Sequence, residues 1–158
     1  MPKKSEFHII AITAIIVHRG KVLIAKRSEK EIAYPGMWTV PGGKFDISDF
    51  KNKRKTTKDA WYEVIEPTLA REVKEEVGIK IKDVKYLIDL AFIRPDGHSV
   101  LCLSYWCRYA GGRVKLSPDL IDFAWVKPIK SELGKYDIIE GIPEEIIEVG
   151  KILRRNKK

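Results

Sequence analysis

Arg71-Glu72-Val73-Lys74-Glu75-Glu76-Val77-Gly78-Ile79, with Val40-Pro41-Gly42-Gly43 upstream, is the stretch on which the fold and the chemistry turn. Residues three and four apart share a helix face, so Glu72, Glu75 and Glu76 crowd together and Arg71 lies one turn before Glu75. Glu72 and Glu76 are separated by only about 6 Å of helical rise. Carboxylates that close raise one another's pKa unless a positive charge stands among them. A hard divalent ion fits, since magnesium takes one or two carboxylates together with waters and substrate phosphates. The bland alternative is a solvated helix face of the same composition, and the hexapeptide alone does not separate the two.

Working outward, Gly78 is a good helix stop, and strand patterns lie on both sides. His8 to Val17 is apolar and rich in isoleucine, Arg19-Gly20-Lys21 signals a turn, and Val22 to Lys26 resumes the strand pattern, which predicts a hairpin. Trp38 to Val40 runs into the glycine turn. Ile81 to Ile93 and Ser99 to Tyr109 flank the turn Arg94-Pro95-Asp96-Gly97-His98, and Asp122 to Val126 adds a further strand. Pro143-Glu144-Glu145 opens a terminal helix whose apolar face is Ile142, Ile146, Val149 and Leu153, with Lys151, Arg154 and Arg155 at its end, as the macrodipole prefers. Strands before, between and after two main helices predict an α/β sandwich with a mixed sheet. No repeat or low-complexity linker interrupts residues 1–158, so a single domain is expected.

Val77-Gly78-Ile79 closes the helix, and seven residues separate Arg71 from Glu63. The pattern resembles the Nudix box, G-x5-E-x7-R-E-U-x-E-E-x-G-U with U aliphatic, and a Pro-Gly-Gly turn stands ahead of it as Pro41-Gly42-Gly43. One departure is plain. Nineteen residues, Lys44 to Tyr62, stand where the pattern has five, an insertion of fourteen that carries Lys51, Lys53, Arg54, Lys55 and Lys58. Within it Thr56 and Thr57 are placed to cap a short extra helix over Lys58-Asp59-Ala60-Trp61, and Pro67 suits the first turn of the next. The insertion leaves Glu63 and Glu66 as rivals for the first-glutamate role.

The resemblance implies the Nudix fold, an α/β/α sandwich, and hydrolysis of a nucleoside diphosphate linked to another group by attack of water on phosphorus. It implies magnesium or manganese held by Glu72, Glu75 and Glu76, with the Gly43 backbone completing the loop. Glu72 is a ligand or the general base, Arg71 orients it, and Glu63 assists. Outside the box the chain resembles MutT-type nucleoside triphosphate pyrophosphohydrolases. That makes Arg27 a phosphate contact and Asp119 an additional carboxylate; the plain alternatives are a basic strand end and a turn former. Base recognition is expected from Tyr136, Asp137 and Glu140, with Trp38 near the glycine loop. The leading expectation is a pyrophosphohydrolase of nucleoside triphosphates, oxidised ones included. Its rivals are hydrolases of ADP-ribose, nucleotide sugars or related compounds and, in another class, a Nudix-fold nucleotide- or RNA-binding module. The family also implies a homodimer, which no residue of the chain itself indicates.

Composition sets the outer bounds. With 158 residues and 44% hydrophobic content the chain suits one ordinary globular unit. No apolar run approaches a membrane span and Met1-Pro2-Lys3-Lys4 leads into a strand pattern, so a soluble cytoplasmic protein is expected. Cys102 and Cys107, five apart on a strand pattern, point to opposite faces and read as reduced core thiols. The net charge of +8 favours polyanionic partners. The insertion and the basic tail 154–158 carry much of it, yet no aromatic-basic recognition motif accompanies them, so nucleic acid is the lesser expectation.

Overall fold

The computed structural model describes residues 4–157. Met1 to Lys3 of the amino-terminal tetrapeptide and Lys158 of the basic tail lie outside the described residues. Seven strands form one sheet: β1 (Ile9–His18), β2 (Lys21–Arg27), β3 (Trp38–Thr39), β4 (Gly42–Lys44), β5 (Lys80–Ile93), β6 (Ser99–Gly111) and β7 (Leu120–Val126). Three helices accompany them, α1 (Ile65–Val77), α2 (Lys130–Leu133) and α3 (Ile142–Arg155). The strand order is β3-β2-β1-β6-β5, with β4 also paired to β1 and β7 to β2. β1 and β6 run parallel and the other pairs antiparallel, so the sheet is mixed, as the sequence predicts.

The two-residue side-chain period of the central strands builds a core on each face. Ile12, Ala14 and Ile16 of β1 and Leu23 and Ala25 of β2 bury against Leu69, Val73 and Val77 of α1. Their alternates Ile15, Val17, Val22 and Ile24 bury with Ile146 and Val149 of α3. Each face is therefore covered by one of the two main helices, and the stripe Ile142, Ile146, Val149 and Leu153 predicted for the terminal helix is the one α3 packs. β1 and β2 join through Arg19 and Gly20, both at positive φ, the two-residue turn that matches the twist of a hairpin. Both cysteines are buried and unpaired.

The insertion departs from expectation. No helix forms over Lys58 to Trp61. Instead the Ala60 carbonyl accepts from the backbone N–H groups of Thr56 and Thr57, and the two threonine hydroxyls accept from Tyr62 N and Ala60 N, which closes the segment into a turn. The helical turn of this region is an earlier 3-10 turn at Ile47–Asp49, capped by Asp46. The segment is held by rings: Phe45 stacks on Phe50 at 5.6 Å, Phe50 meets the Trp61 edge at 5.2 Å, and Trp61 Nε1 donates to the Lys53 carbonyl. Pro67 falls on the third residue of α1, where a missing N–H is still harmless. At the other end of the chain, Arg154 and Arg155 of the basic tail belong to α3.

Candidate active site

α1 and β4 create the site between them. The two glycines of β4 make room on two sides: a Cβ at Gly43 would stand 2.2 Å from the Glu72 carboxyl carbon of α1, and one at Gly42 would stand 2.2 Å from the Ile12 carbonyl oxygen of β1. A side chain at Gly42 would collide with the β1 backbone, and one at Gly43 would displace the Glu72 carboxyl. The Gly42 N–H donates to Glu76 Oε2 at 3.1 Å, while Glu72 fills the space a Gly43 side chain would need. Glu72 and Glu76 are thereby drawn to one short strand, as the four-residue spacing predicts.

The electrostatics of the pair follow from burial. Withdrawal from water pushes the Glu76 carboxyl up to about 7. The Gly42 hydrogen bond and Arg27 oppose that rise, and the negative charges of Glu72 and Asp119 add to it. Burial also raises Glu72, against the pull of Arg71. Two half-buried carboxylates held above their ordinary range would be relieved by a cation. Among the described residues no three or more His, Cys, Asp or Glu side chains stand together as a ready-made metal cage. The pair Glu72 and Glu76, seated against the glycine cradle, matches a divalent ion that takes one or two carboxylates and completes its shell with water and phosphate.

Glu75 is not drawn into that pair. Its carboxylate accepts from Arg71 Nη1 at 2.9 Å, and 59% of the side chain is exposed. Arg71 is the hub of the helix face: Nη2 reaches Glu72 Oε1 at 2.9 Å, the orienting ion pair expected of it, and also Asp49 Oδ1. Burial works against the guanidinium charge, but the three carboxylates together raise its pKa.

Asp49, rather than Glu63, stands at the Arg71 guanidinium. Its side chain is 3% exposed, and its second oxygen accepts from the Asp46 N–H at 2.8 Å. Glu63 instead stands exposed at positive φ, and Glu66 is exposed too; both line a separate hollow with Val84 and Tyr105. The reason is chain path. Five residues separate Gly43 from Asp49, the spacing the box gives its first acid, so the fourteen extra residues enter after that position and carry Glu63 away. A search for glutamate at a fixed distance before Arg71 counts through the excursion; an aspartate at the right distance after Gly43 is the signal that finds it.

Arg27 and Asp119 both lie within electrostatic reach of Glu76. The Arg27 guanidinium is held by the Ala33 carbonyl at 2.9 Å and Glu31 at 3.1 Å. It lines a hollow of about 260 Å³ with Lys44 and Arg94. Lys44 also borders a second hollow, of about 440 Å³, with Lys53, Arg71 and Glu72. Lys44 therefore shares a hollow with Glu72, while Arg27 acts on Glu76. Trp38 and Tyr136 come together at 4.9 Å, edge to face, in the core on the α3 side. The Trp38 N–H donates to the Asp137 carbonyl and the Trp38 carbonyl accepts from Ile139, so the segment is fastened to β3 by its backbone. Asp137 and Glu140 leave their side chains exposed.

The chain is similar to known proteins along most of its length. The sequence profile of the NUDIX domain matches residues 7–137. A relative named nucleoside triphosphatase NudI, from Escherichia coli O17:K52:H18, is 26% identical over 137 residues, covering 80% of this chain and 86% of its own. The MutT protein of Methanosarcina mazei Go1 superposes with a TM-score of 0.67 at 27% identity, covering 96% of each chain. The NUDIX domain of Shewanella oneidensis NrtR, solved with ADP ribose, shares the fold at a TM-score of 0.70 and 16% identity, over 96% of this chain and 94% of its own. With the family profile matched along most of its length, the chain belongs to the Nudix hydrolase family.

Proposed function

We propose that this hydrolase is a magnesium-dependent pyrophosphohydrolase that cleaves nucleoside triphosphates to the monophosphate and pyrophosphate. The observation that carries the proposal is the half-buried pair Glu72 and Glu76 against the two-glycine strand, with Lys44 sharing a hollow with Glu72 and Arg27 within electrostatic reach of Glu76. The name of the Escherichia coli relative points to the same substrate class.

Nudix hydrolases use divalent metals, and a bound ion would neutralise phosphate charge and acidify water. The chain's own residues supply the rest. Glu76 is fixed by Gly42 and Glu72 by Arg71, so neither carboxylate must reorganise when substrate arrives. Asp49 acts through Arg71: it holds the guanidinium so that one of its nitrogens stays on Glu72. Arg27 keeps Nη1 free of the two hydrogen bonds that position it, which leaves donors for a phosphate oxygen. Asp119 is a further carboxylate for the same centre. Tyr136, Asp137, Glu140 and Trp38 are assigned to the base. In the reaction water adds to a phosphorus, one anhydride P–O bond breaks, and the proton of water passes to a carboxylate of the pair.

The test is a panel of nucleoside triphosphates, ADP-ribose and nucleotide sugars with magnesium, followed by identification of every phosphate product. Monophosphate with pyrophosphate, formed fastest from triphosphates, is the expected outcome. Orthophosphate release, or preference for ADP-ribose, contradicts the proposal. Binding without turnover across the panel favours a nucleotide-binding module.

A further inference from the structure

The segment between Asp49 and Glu63 folds back onto the active site. A hollow of about 440 Å³ opens between Lys44, Asp49 and Lys53 on one side and Arg71 and Glu72 of α1 on the other. The segment carries five basic residues, Lys51, Lys53, Arg54, Lys55 and Lys58, and of these Lys53 is the one on the lining.

Lys53 is placed there by its backbone. Its N–H donates to the Phe50 carbonyl at 2.8 Å, and its carbonyl accepts from Trp61 Nε1 at 2.8 Å. Phe50 and Trp61 are in turn joined ring to ring, with Phe45 stacked on Phe50. Ordering a loop costs conformational entropy, and the ring contacts offset it. The other basic side chains of the segment have plainer accounts. Lys55 lies over the Trp61 ring at 5.2 Å, and Lys51, Arg54 and Lys58 are exposed and off the lining.

The charges of the hollow are unevenly satisfied. Its acids are engaged: Asp49 and Glu72 accept from Arg71, and Asp46 accepts from the Ser48 N–H. Among the described residues neither Lys44 nor Lys53 has an ion-pair partner, and both are exposed. Glu72 belongs to the pair whose cation completes its shell with water and phosphate, so substrate phosphate comes to the same hollow. Two unpaired ammonium groups stand on its other wall.

Direction along the site follows from the strands. Trp38, assigned to the base, pairs with Lys26, and the next residue, Arg27, acts on Glu76. Glu72 lies one helical turn, about 6 Å, toward the amino end of α1. A nucleotide with its base at the Trp38 end therefore points its far phosphates past Glu72 toward Lys53.

The geometry points to Lys53, on the triphosphate reading of this site, as a specificity-determining residue that holds the terminal phosphate of the substrate. The lysine does not select the nucleoside; it selects the third phosphate, by a charge-assisted contact. A diphosphate linked to a sugar puts an uncharged group at the same place and gains nothing from the ammonium.

Equilibrium binding with magnesium, read by calorimetry, tests this without turnover. The probes are the α,β-methylene analogues of GTP and GDP. Proteins compared are the unsubstituted chain, Lys53→Ala, Lys53→Arg and, as a control with the same loss of charge, Lys58→Ala. Alanine at position 53 keeps both backbone hydrogen bonds, and circular dichroism verifies the fold. Triphosphate affinity should fall about 10-fold or more in Lys53→Ala, the usual worth of one hydrogen bond to a charged group. Diphosphate affinity should stay within about twofold, Lys53→Arg should recover most of the loss, and Lys58→Ala should match the unsubstituted chain. Equal weakening of both analogues, the same loss in Lys58→Ala, or an unchanged triphosphate preference in Lys53→Ala overturns the assignment of Lys53 and leaves the triphosphate reading standing. No binding of the triphosphate analogue by the unsubstituted chain overturns both.

Discussion

Removing the charge from Glu76 should make the metal-free protein more stable while ending its activity. The carboxyl sits near 7 in the folded chain because burial outweighs the Gly42 hydrogen bond, against an ordinary value of 4.5. Below pH 4.5 the group is protonated in both states, and the folded protein loses nothing. As pH rises from 4.5 through 7 the unfolded chain gives up its proton first, so stability falls across that window. Moving a carboxyl from 4.5 to about 7 corresponds to about 3 kcal/mol. Glu76→Gln keeps an oxygen acceptor for the Gly42 N–H and carries no charge. At pH 8 in EDTA the variant should therefore exceed the unsubstituted protein by roughly 2–3 kcal/mol, about 5–10 °C in midpoint for a chain of this length. At pH 4.5 the two should agree. Urea and thermal unfolding followed by circular dichroism at both pH values are the assay. A variant no more stable at pH 8, or a gap that does not depend on pH, would refute the reasoning.

Other consequences follow from the same geometry. Asp49→Ala frees the Arg71 guanidinium from its buried partner and should lower turnover by about 10- to 100-fold, the usual cost of losing a support behind a ligand, while Asp49→Glu restores part of it; steady-state kinetics with triphosphate decide. Gly43→Ala puts a methyl group where the Glu72 carboxyl stands, so activity should fall sharply while the far-UV spectrum stays the same. Cys107 is fully buried, and burial pushes its thiol up to about 12. A thiol-specific chromogenic reagent at pH 8 should find no fast-reacting cysteine in the native chain and two after unfolding.

The sequence carried the frame of this protein because its strongest signals are local. The Ile-rich alternation of β1, the Arg19-Gly20 turn, the Gly78 stop and the apolar stripe of α3 each act within a few residues, and each appears where the period places it. Glu72 and Glu76 converge for the same reason, since a four-residue spacing is a statement about one helix. What sequence left obscure depends on chain path. Glu75 has the spacing of a ligand, and its exposed carboxylate rests on Arg71 one turn away, which the spacing alone does not show. Glu63 has the distance to Arg71 that the box requires, yet an excursion held by Phe45, Phe50 and Trp61 brings Asp49 to the guanidinium instead. The capping threonines were visible, but a turn closed on the Ala60 carbonyl satisfies their backbone without a helix.

The most direct test of the account is manganese uptake measured by electron paramagnetic resonance, with a non-hydrolysable triphosphate present, in the unsubstituted protein and in Glu72→Gln/Glu76→Gln. The account predicts bound ion in the first and its loss in the second, with the fold intact. Equal uptake by both proteins would contradict it.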